Sequence, residues 1–125
     1  MGVLKTLLIL LILLPLPVRA DQDRMIADFV ACAGRYSAEL EHAWLVDGAA
    51  AEGIARRRAH FIDLIAAALP ADSHRQALHL RILAKAAHGA LLREALFSQD
   101  PARAGWALRR AESEIAHCSG YLLES

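Results

Sequence analysis

Apolar residues recur at steps of three and four along four segments of this chain, and that spacing is the strongest constraint on its fold. Residues at such steps share one face of a helix, whereas a half-buried strand would show strict alternation. The sequence after residue 20 is rich in alanine and leucine and has few β-branched residues, a composition that favours helix. The sequence therefore predicts an all-α fold.

The first two predicted helices end at turn-forming residues. Helix one is expected over about residues 22–45, because Asp47-Gly48 stops it, and helix two over about residues 50–69, because Pro70 ends it. The predicted core residues are Phe29, Ala33, Tyr36, Leu40 and Ala43 in the first helix and Ile54, Phe61, Ile65 and Ala68 in the second.

The third and fourth helices carry start signals. Ser73 and Gln76 form a predicted capping box, so the third helix begins there and runs to about Phe97. Asp100 is the predicted N-cap of the fourth helix, with Pro101 at the first helical position. Four helices joined by short turns predict an up-down-up-down four-helix bundle. The apolar faces comprise Leu78, Ile82, Leu83, Ala86, Ala90, Leu91 and Leu96 in the third helix and Ala104, Leu108, Ala111, Ile115, Cys118 and Leu122 in the fourth.

The first 20 residues have the layout of a secretory signal peptide. Lys5 precedes an unbroken apolar run over residues 7–14, and Ala20 ends a small-residue cleavage site. A membrane anchor is the alternative, but the run is shorter than the ~20 residues that a spanning helix needs. We therefore expect residues 1–20 to be a cleaved signal peptide, residues 21–125 to form one domain, and the protein to be periplasmic or secreted.

Cys32 and Cys118 are the only two cysteines of the chain. Both lie near the inner stripes of the predicted first and last helices, which are neighbours in the predicted bundle. An exported chain with two such cysteines most often oxidises them, so we expect a Cys32–Cys118 disulfide that staples the bundle.

The cysteines also define a register between the first and last helices. If the two helices are antiparallel about a Cys32–Cys118 bond, Phe29 comes level with Tyr121, and Trp44 comes level with Trp106. Aromatic residues would then coincide at both ends of the pair.

The chain after the leader has little net charge. Removal of residues 1–20 takes away Lys5 and Arg19 and leaves 12 basic residues against 14 acidic ones, a formal charge of −2. A nearly neutral domain lacks the electrostatic footprint that binding to nucleic acid or to an anionic membrane requires. The only basic cluster, Arg56 to Arg58, spreads over most of a helical turn, and we expect it to be a solvated face.

The sequence has no recognisable metal or catalytic motif. No two histidines are three or four residues apart, and HExxH, CxxC and CxxCH are absent, so we expect no metal site and no cofactor. The acidic residues fall beside arginines, as solvated helices require, and we expect no enzymatic activity. The histidines are His42, His60, His74, His79, His88 and His117, and the acidic residues considered are Glu39, Glu41, Asp63, Glu112 and Glu114.

A carrier that binds a ligand or haem in the bundle interior is one alternative. A small exported bundle with a methionine near its start and a histidine near its end is similar in layout to the cytochrome b562 family, and Met25 and His117 would be the corresponding axial ligands. The register separates these two residues by ~12 Å along the helices, which is too far for two ligands of one iron.

Three segments carry a further resemblance: ACAGRYSAELEHAWL, RILAKAAHGALL and AGWALRRAESEIAHCSGYLL. They resemble small exported helical proteins of Gram-negative bacteria, a group to which no activity is assigned, and the resemblance implies export and paired cysteines. The chain is also similar to LprI-type lysozyme-inhibitor domains, with Trp106, Arg110 and Glu112 or Glu114 near the matching places, although it lacks the additional cysteines of that pattern. This similarity implies an inhibitor of a cell-wall hydrolase as another alternative.

The predicted fourth helix carries a second stripe beside its apolar one, formed by Trp106, Arg110, His117 and Tyr121. Aromatic and arginine side chains are common anchors of protein interfaces, so this stripe is the candidate interaction surface. The alternative is that Trp106 and Tyr121 only cover the edge of the core. The sequence therefore predicts a small non-enzymatic binding or interaction protein with a periplasmic protein as its partner.

Overall fold

The computed structural model of the protein describes residues 18–123 as helices joined by short turns. No strand occurs within that range, so the predicted all-α class is confirmed. None of the described helices has the length and apolarity that crossing a membrane requires. The four helices are α1 (Val18–Val46), α2 (Ala51–Ala68), α3 (His74–Phe97) and α4 (Pro101–Leu123), with 3-10 turns at Gly48–Ala50 and Ala71–Ser73.

The N-terminal boundary differs from the prediction. α1 begins at Val18, before the predicted cleavage site at Ala20, and not near Gln22. The rest of the predicted signal peptide, residues 1–17, lies outside the described residues.

Both predicted helix starts are confirmed, since α3 begins at His74 after Ser73 and α4 begins at Pro101, but only one of the two predicted caps is present. Asp100 caps α4 as expected, because the backbone N–H of Ala102 donates to its Oδ1 at 3.0 Å. The capping box at Ser73 and Gln76 is wrong: Ser73 makes no side-chain cap hydrogen bond, and its hydroxyl donates to Asp72 instead. Ser73 belongs to a 3-10 turn with φ −100° and ψ 1°, whereas a capping serine needs extended backbone.

α1 is the central helix and contacts each of the other three. All five of its predicted core residues are buried, which confirms the stripe from Phe29 to Ala43. The ring of Phe61 from α2 is fully buried and stacks on Tyr36, with the ring centroids 5.7 Å apart. The main core cluster therefore forms where α2 and α4 meet α1.

The predicted disulfide is present between Cys32 and Cys118, and no free cysteine remains. The Cα atoms of the two cysteines are 5.6 Å apart, and both side chains are fully buried. Phe29 packs edge-on against Tyr121 with ring centroids 5.2 Å apart, so the antiparallel register predicted for these two residues is confirmed.

α1 and α3 approach closely at Gly34. A Cβ atom at this position would clash with the backbone oxygen of Arg81 and lie 3.0 Å from the backbone nitrogen of Lys85. Further along, Glu39 of α1 reaches His88 of α3, so these two helices run in the same direction. The absence of a side chain at residue 34 therefore sets the distance between α1 and α3.

The buried face of α3 differs from the predicted one. Ala77, His88 and Leu92 are buried, because the helix turns its small residues toward Gly34. The predicted face instead has six exposed members, Leu78, Ile82, Leu83, Ala86, Ala90 and Leu96. In α4, Leu108 is likewise exposed, whereas Ala107, Ala111 and Cys118 are buried.

Candidate functional site

The predicted interaction stripe of α4 lies partly on the surface and partly against α1. Trp106 is exposed, and Arg110 donates to Glu114 at 3.1 Å. His117 and Tyr121 both contact Asp28 of α1, and their rings meet edge to face. Trp106 is therefore accessible to solvent, whereas His117 and Tyr121 are in contact with α1.

His88 lies at the centre of a buried charged cluster that joins three helices. Its side chain has no exposed surface, and its two ring nitrogens each meet a carboxylate. Nε2 lies 2.7 Å from Glu39 of α1, and Nδ1 lies 2.9 Å from Glu114 of α4. Arg35 and Arg110 add further positive charge beside Glu114, at 3.4 and 3.1 Å.

These contacts favour the charged form of each partner. Burial disfavours the imidazolium, but the hydrogen bonds to Glu39 and Glu114 outweigh it and raise the pKa of His88. Burial likewise disfavours ionisation of Glu114, yet the hydrogen bond from His88 and the nearby charge of Arg35 lower the pKa of that carboxyl. His88 therefore lies between two carboxylates, and its raised pKa favours the charged form.

This cluster was not predicted from the sequence. Glu39 and Glu114 were expected on solvated faces with no acid/base group assembled, but both are largely buried against His88. A usable signal exists in the sequence, since His88 stands among small residues in KAAHGAL and occupies the same face as Ala77, Ala84 and Leu92.

A cleft of about 520 Å³ opens beside the cluster, between the start of α2 and Ile115 of α4. Glu39 is paired with His88, and Arg56 is paired with Glu52 at 2.5 Å. Arg57 also lines this cleft, but it is exposed and pairs with no carboxylate within residues 18–123. The cleft therefore offers a ligand one exposed cation and no pair of half-buried ones.

A second recess, the α2–α3 groove, lies between those two helices with α1 as its floor. It consists of two adjoining cavities, of about 400 and 170 Å³, that share Leu78 and Arg81. The larger cavity is its cationic end, and the smaller is its apolar end. The cationic end includes Ser37, Glu41, Trp44, Arg58, Arg81 and Lys85. The apolar end includes Val30, Ile65, Leu69, Ala77 and Leu78.

Two arginines of the α2–α3 groove have no counter-charge. Lys85 forms an ion pair with Glu41, but neither Arg58 nor Arg81 is among the cations that pair with a carboxylate within residues 18–123. Both side chains are half-buried. Burial, and then the positive charge of Arg58, lower the pKa of Arg81.

Arg58 corrects the expectation that the whole Arg56–Arg58 run is solvated. Its Nε donates to the hydroxyl of Ser37 at 2.8 Å, and that hydroxyl donates in turn to the backbone oxygen of Ala33 at 2.8 Å. The guanidinium is therefore held over α1 beside Arg81. Two half-buried like charges without a carboxylate partner repel each other, and a bound anion would relieve that repulsion.

The structure offers no obvious metal centre in the part of the chain that it describes, where no group of three potential ligands is arranged around one point. Met25 and His117, the residues that correspond to haem ligands, are both exposed side chains. Searches of family models, curated proteins and solved structures found no match. The function is therefore inferred from geometry.

Proposed function

We propose that this protein is a small exported, non-enzymatic binding protein whose binding site is the α2–α3 groove. The observation that carries the proposal is the pair formed by Arg58 and Arg81, two half-buried guanidinium groups that share a groove without a carboxylate partner. Concave sites that combine apolar walls with a few fixed polar groups are the usual form of small-ligand sites. The volume of the cationic end, about 400 Å³, lies within the range of such sites.

An up-down-up-down bundle is the architecture that we propose for the four helices. Contacts of α1 with α2 and α4 pair its early residues with late residues of the partner, as Phe29 does with Phe61 and Tyr121. α3 and α4 are related in the same way, through Glu94 and Arg103. The parallel contact of α1 with α3 fits this order of directions.

The proposed location is the periplasm or the extracellular medium. The Cys32–Cys118 disulfide supports an oxidising compartment, and the leader-like layout of residues 1–20 supports export. Mass spectrometry of the protein recovered from outside the cytoplasm should give a chain that begins at Asp21. A chain that retains residues 1–20 would contradict export with cleavage.

A non-enzymatic role is proposed because the perturbed titratable groups serve the fold. His88 is fully buried, and both of its ring nitrogens are engaged by Glu39 and Glu114. A general acid or base must reach a substrate, and this imidazole has no exposed surface. The cluster therefore acts as a link between helices.

The groove is tested with an anionic fluorescent probe, 1-anilinonaphthalene-8-sulfonate. The wild-type protein should bind it at one saturable site, and the double variant Arg58→Gln/Arg81→Gln should bind at least tenfold more weakly, because two charge-assisted hydrogen bonds are lost. A matched control, Arg75→Gln/Arg109→Gln, removes two exposed arginines outside the groove and should bind like the wild type. Equal affinity of all three proteins, with unchanged circular dichroism, would contradict the proposal.

A further inference from the structure

We infer that the ligand of the α2–α3 groove is a single amphipathic oxyanion, with its carboxylate or phosphate at Arg58 and Arg81 and its hydrocarbon chain along the apolar end. This inference rests on the proposed function, because it names the ligand class of the same groove. The ligand class follows from the hydrogen-bond donors at the cationic end and from the shape of the groove beyond it.

The cationic end is prepared for an oxyanion. Arg58 uses its Nε–H to bond Ser37, and the hydroxyl of Ser37 is itself fixed by Ala33, so the guanidinium is oriented before any ligand arrives. A guanidinium has five N–H donors, and four of them remain beyond this bond. Arginine donors arranged in a fork match the paired oxygens of a carboxylate or phosphate.

The backbone of Arg81 is fixed independently. Gly34 allows the backbone of α1 to lie against the backbone oxygen of Arg81, so this residue lies at a close contact between the two helices. Its side chain forms the junction between the two ends of the groove. An anion held by Arg58 and Arg81 would therefore stand at the entrance to the apolar end.

The apolar end is lined mainly by hydrocarbon side chains, with His74 and Arg81 as its polar lining residues. Val30 is almost fully buried at its floor, and Ile65 and Leu69 of the α2 side face Ala77 and Leu78 of α3 across it. Leu78 borders both cavities and is 57% exposed, so it offers an uncovered side chain along the path from charge to apolar wall. Covering such a surface with methylene groups is favourable.

The charge distribution of the protein favours a monomeric amphiphile over a membrane surface as the occupant of the groove. Lys85 is engaged by Glu41, which leaves Arg58 and Arg81 as the groove cations that pair with no carboxylate within residues 18–123. Residues 21–125 carry a formal charge of −2, so the surface as a whole is not attracted to an anionic bilayer. The local excess of two positive charges fits one oxyanion headgroup.

The test is a calorimetric series at concentrations below micelle formation, with butanoate, octanoate, dodecanoate, dodecyl phosphate and dodecyltrimethylammonium. Affinity for the carboxylates should rise about two- to fourfold per methylene until the apolar end is filled. The cationic amphiphile should bind at least tenfold more weakly than dodecanoate, because it meets two arginines. The relative affinities of dodecanoate and dodecyl phosphate identify the preferred headgroup.

The Leu78→Ser variant tests where the hydrocarbon chain of the ligand lies, and the Trp106→Phe variant makes Trp44 the fluorescent reporter of binding. Leu78→Ser should reduce the gain per methylene, whereas the matched control Leu83→Ser changes an exposed leucine outside the groove and should leave it unchanged. In the Trp106→Phe variant, Trp44 is the only tryptophan, and its fluorescence should change on addition of dodecanoate.

Carboxylate affinity that does not depend on chain length would overturn the inference. If 1-anilinonaphthalene-8-sulfonate still bound in an arginine-dependent manner, the proposed binding groove would stand with a different ligand class. Binding that occurs only to anionic vesicles or micelles would also overturn the inference, in favour of a membrane surface. If the protein bound neither 1-anilinonaphthalene-8-sulfonate nor the carboxylates, the proposal that the α2–α3 groove is a binding site would be contradicted.

Discussion

At the scale of single residues, the buried charge of the protein is centred on His88. A fully buried imidazolium is costly by itself, but here Glu39 and Glu114 satisfy both of its N–H groups. Removal of the cation would leave two largely buried carboxylates facing each other between α1 and α4. The cluster therefore makes stability depend on the protonation of one side chain.

The first prediction is a pH-dependent effect of His88→Gln. The folded-state pKa of His88 is raised, so its contribution is complete below the unfolded value of about 6.5 and is lost as the pH rises through the folded value. We expect the variant to be less stable by about 3 kcal/mol at about pH 6 and by less at about pH 9. Thermal unfolding across this range measures the difference.

The control for this prediction is His79→Gln, an exposed position on the same helix. Its stability should follow that of the wild type at each pH. The pKa of Glu114 is lowered in the folded protein, so the stability contributed by its ionised form is lost as the pH falls through that folded-state pKa. A difference between His88→Gln and wild type that is constant with pH would contradict the charged bridge.

The second prediction concerns the candidate stripe on α4. Trp106 is 58% exposed, and Arg110 is itself exposed and is one of three cations beside the largely buried Glu114. Trp106→Ala/Arg110→Ala should therefore lower stability by less than about 1 kcal/mol, because the other two cations still compensate that carboxylate. If the stripe binds a periplasmic protein, the same variant should lose that partner in a pull-down. A large fall in melting temperature would show instead that Trp106 is part of the core.

At the scale of elements, the packing of α3 depends on the bare backbone of Gly34. The two helices meet here at backbone distance, and larger side chains are turned outward. This contact explains why one face of α3 is buried through small residues and His88. It also explains why Leu78 is left at the edge of the α2–α3 groove.

The third prediction compares two glycine substitutions. Gly34→Ala should destabilise the protein by about 2 kcal/mol or more, because its Cβ would meet the backbone of Arg81 and Lys85 and force α1 and α3 apart. Gly120→Ala should stabilise by about 0.5–1 kcal/mol, because it lies within α4 with open space around it. Chemical denaturation measures both, and equal effects of the two changes would contradict the close approach.

The same contact shows which parts of the fold were predictable. The stripe of α1 was predicted residue by residue, because a central helix buries its apolar face whatever its neighbours are. The face of α3 was not, because the choice between Leu78 and Ala77 as the inward residue depends on the side chain missing from Gly34 in another helix. Apolar periodicity within one segment cannot contain that information.

The disulfide and the candidate site divide in the same way between predictable and unpredictable features. The disulfide was predictable from two cysteines on inner stripes, whereas the groove depends on how far α2 and α3 stand apart. The sequence places Arg58 in a run of three arginines, and only the tertiary contact with Ser37 singles it out. Glu39 and His88 lie 49 positions apart and likewise meet only through the packing of helices.

At the scale of the whole molecule, the fourth prediction is that the disulfide supplies a large share of stability. The bond joins cysteines 86 positions apart. Closing a loop of that length lowers the conformational entropy of the unfolded chain and so raises its free energy by about 4 kcal/mol. Cys32→Ser/Cys118→Ser should therefore lower the free energy of unfolding by about that amount. Denaturation of the wild type in reductant should give a similar loss, and no effect in either case would contradict the role of the bond.

The position of the disulfide also determines how the molecule responds to tension. A force applied to the two ends of the chain is carried through Cys32 and Cys118, and the segment between them bears no load. Only the start of α1 and the end of α4 can be extended. The loop between the two cysteines, which would be about 300 Å long if fully extended, stays closed. In a single-molecule pulling experiment the oxidised protein should lengthen very little, so α2, α3 and the groove between them are mechanically shielded.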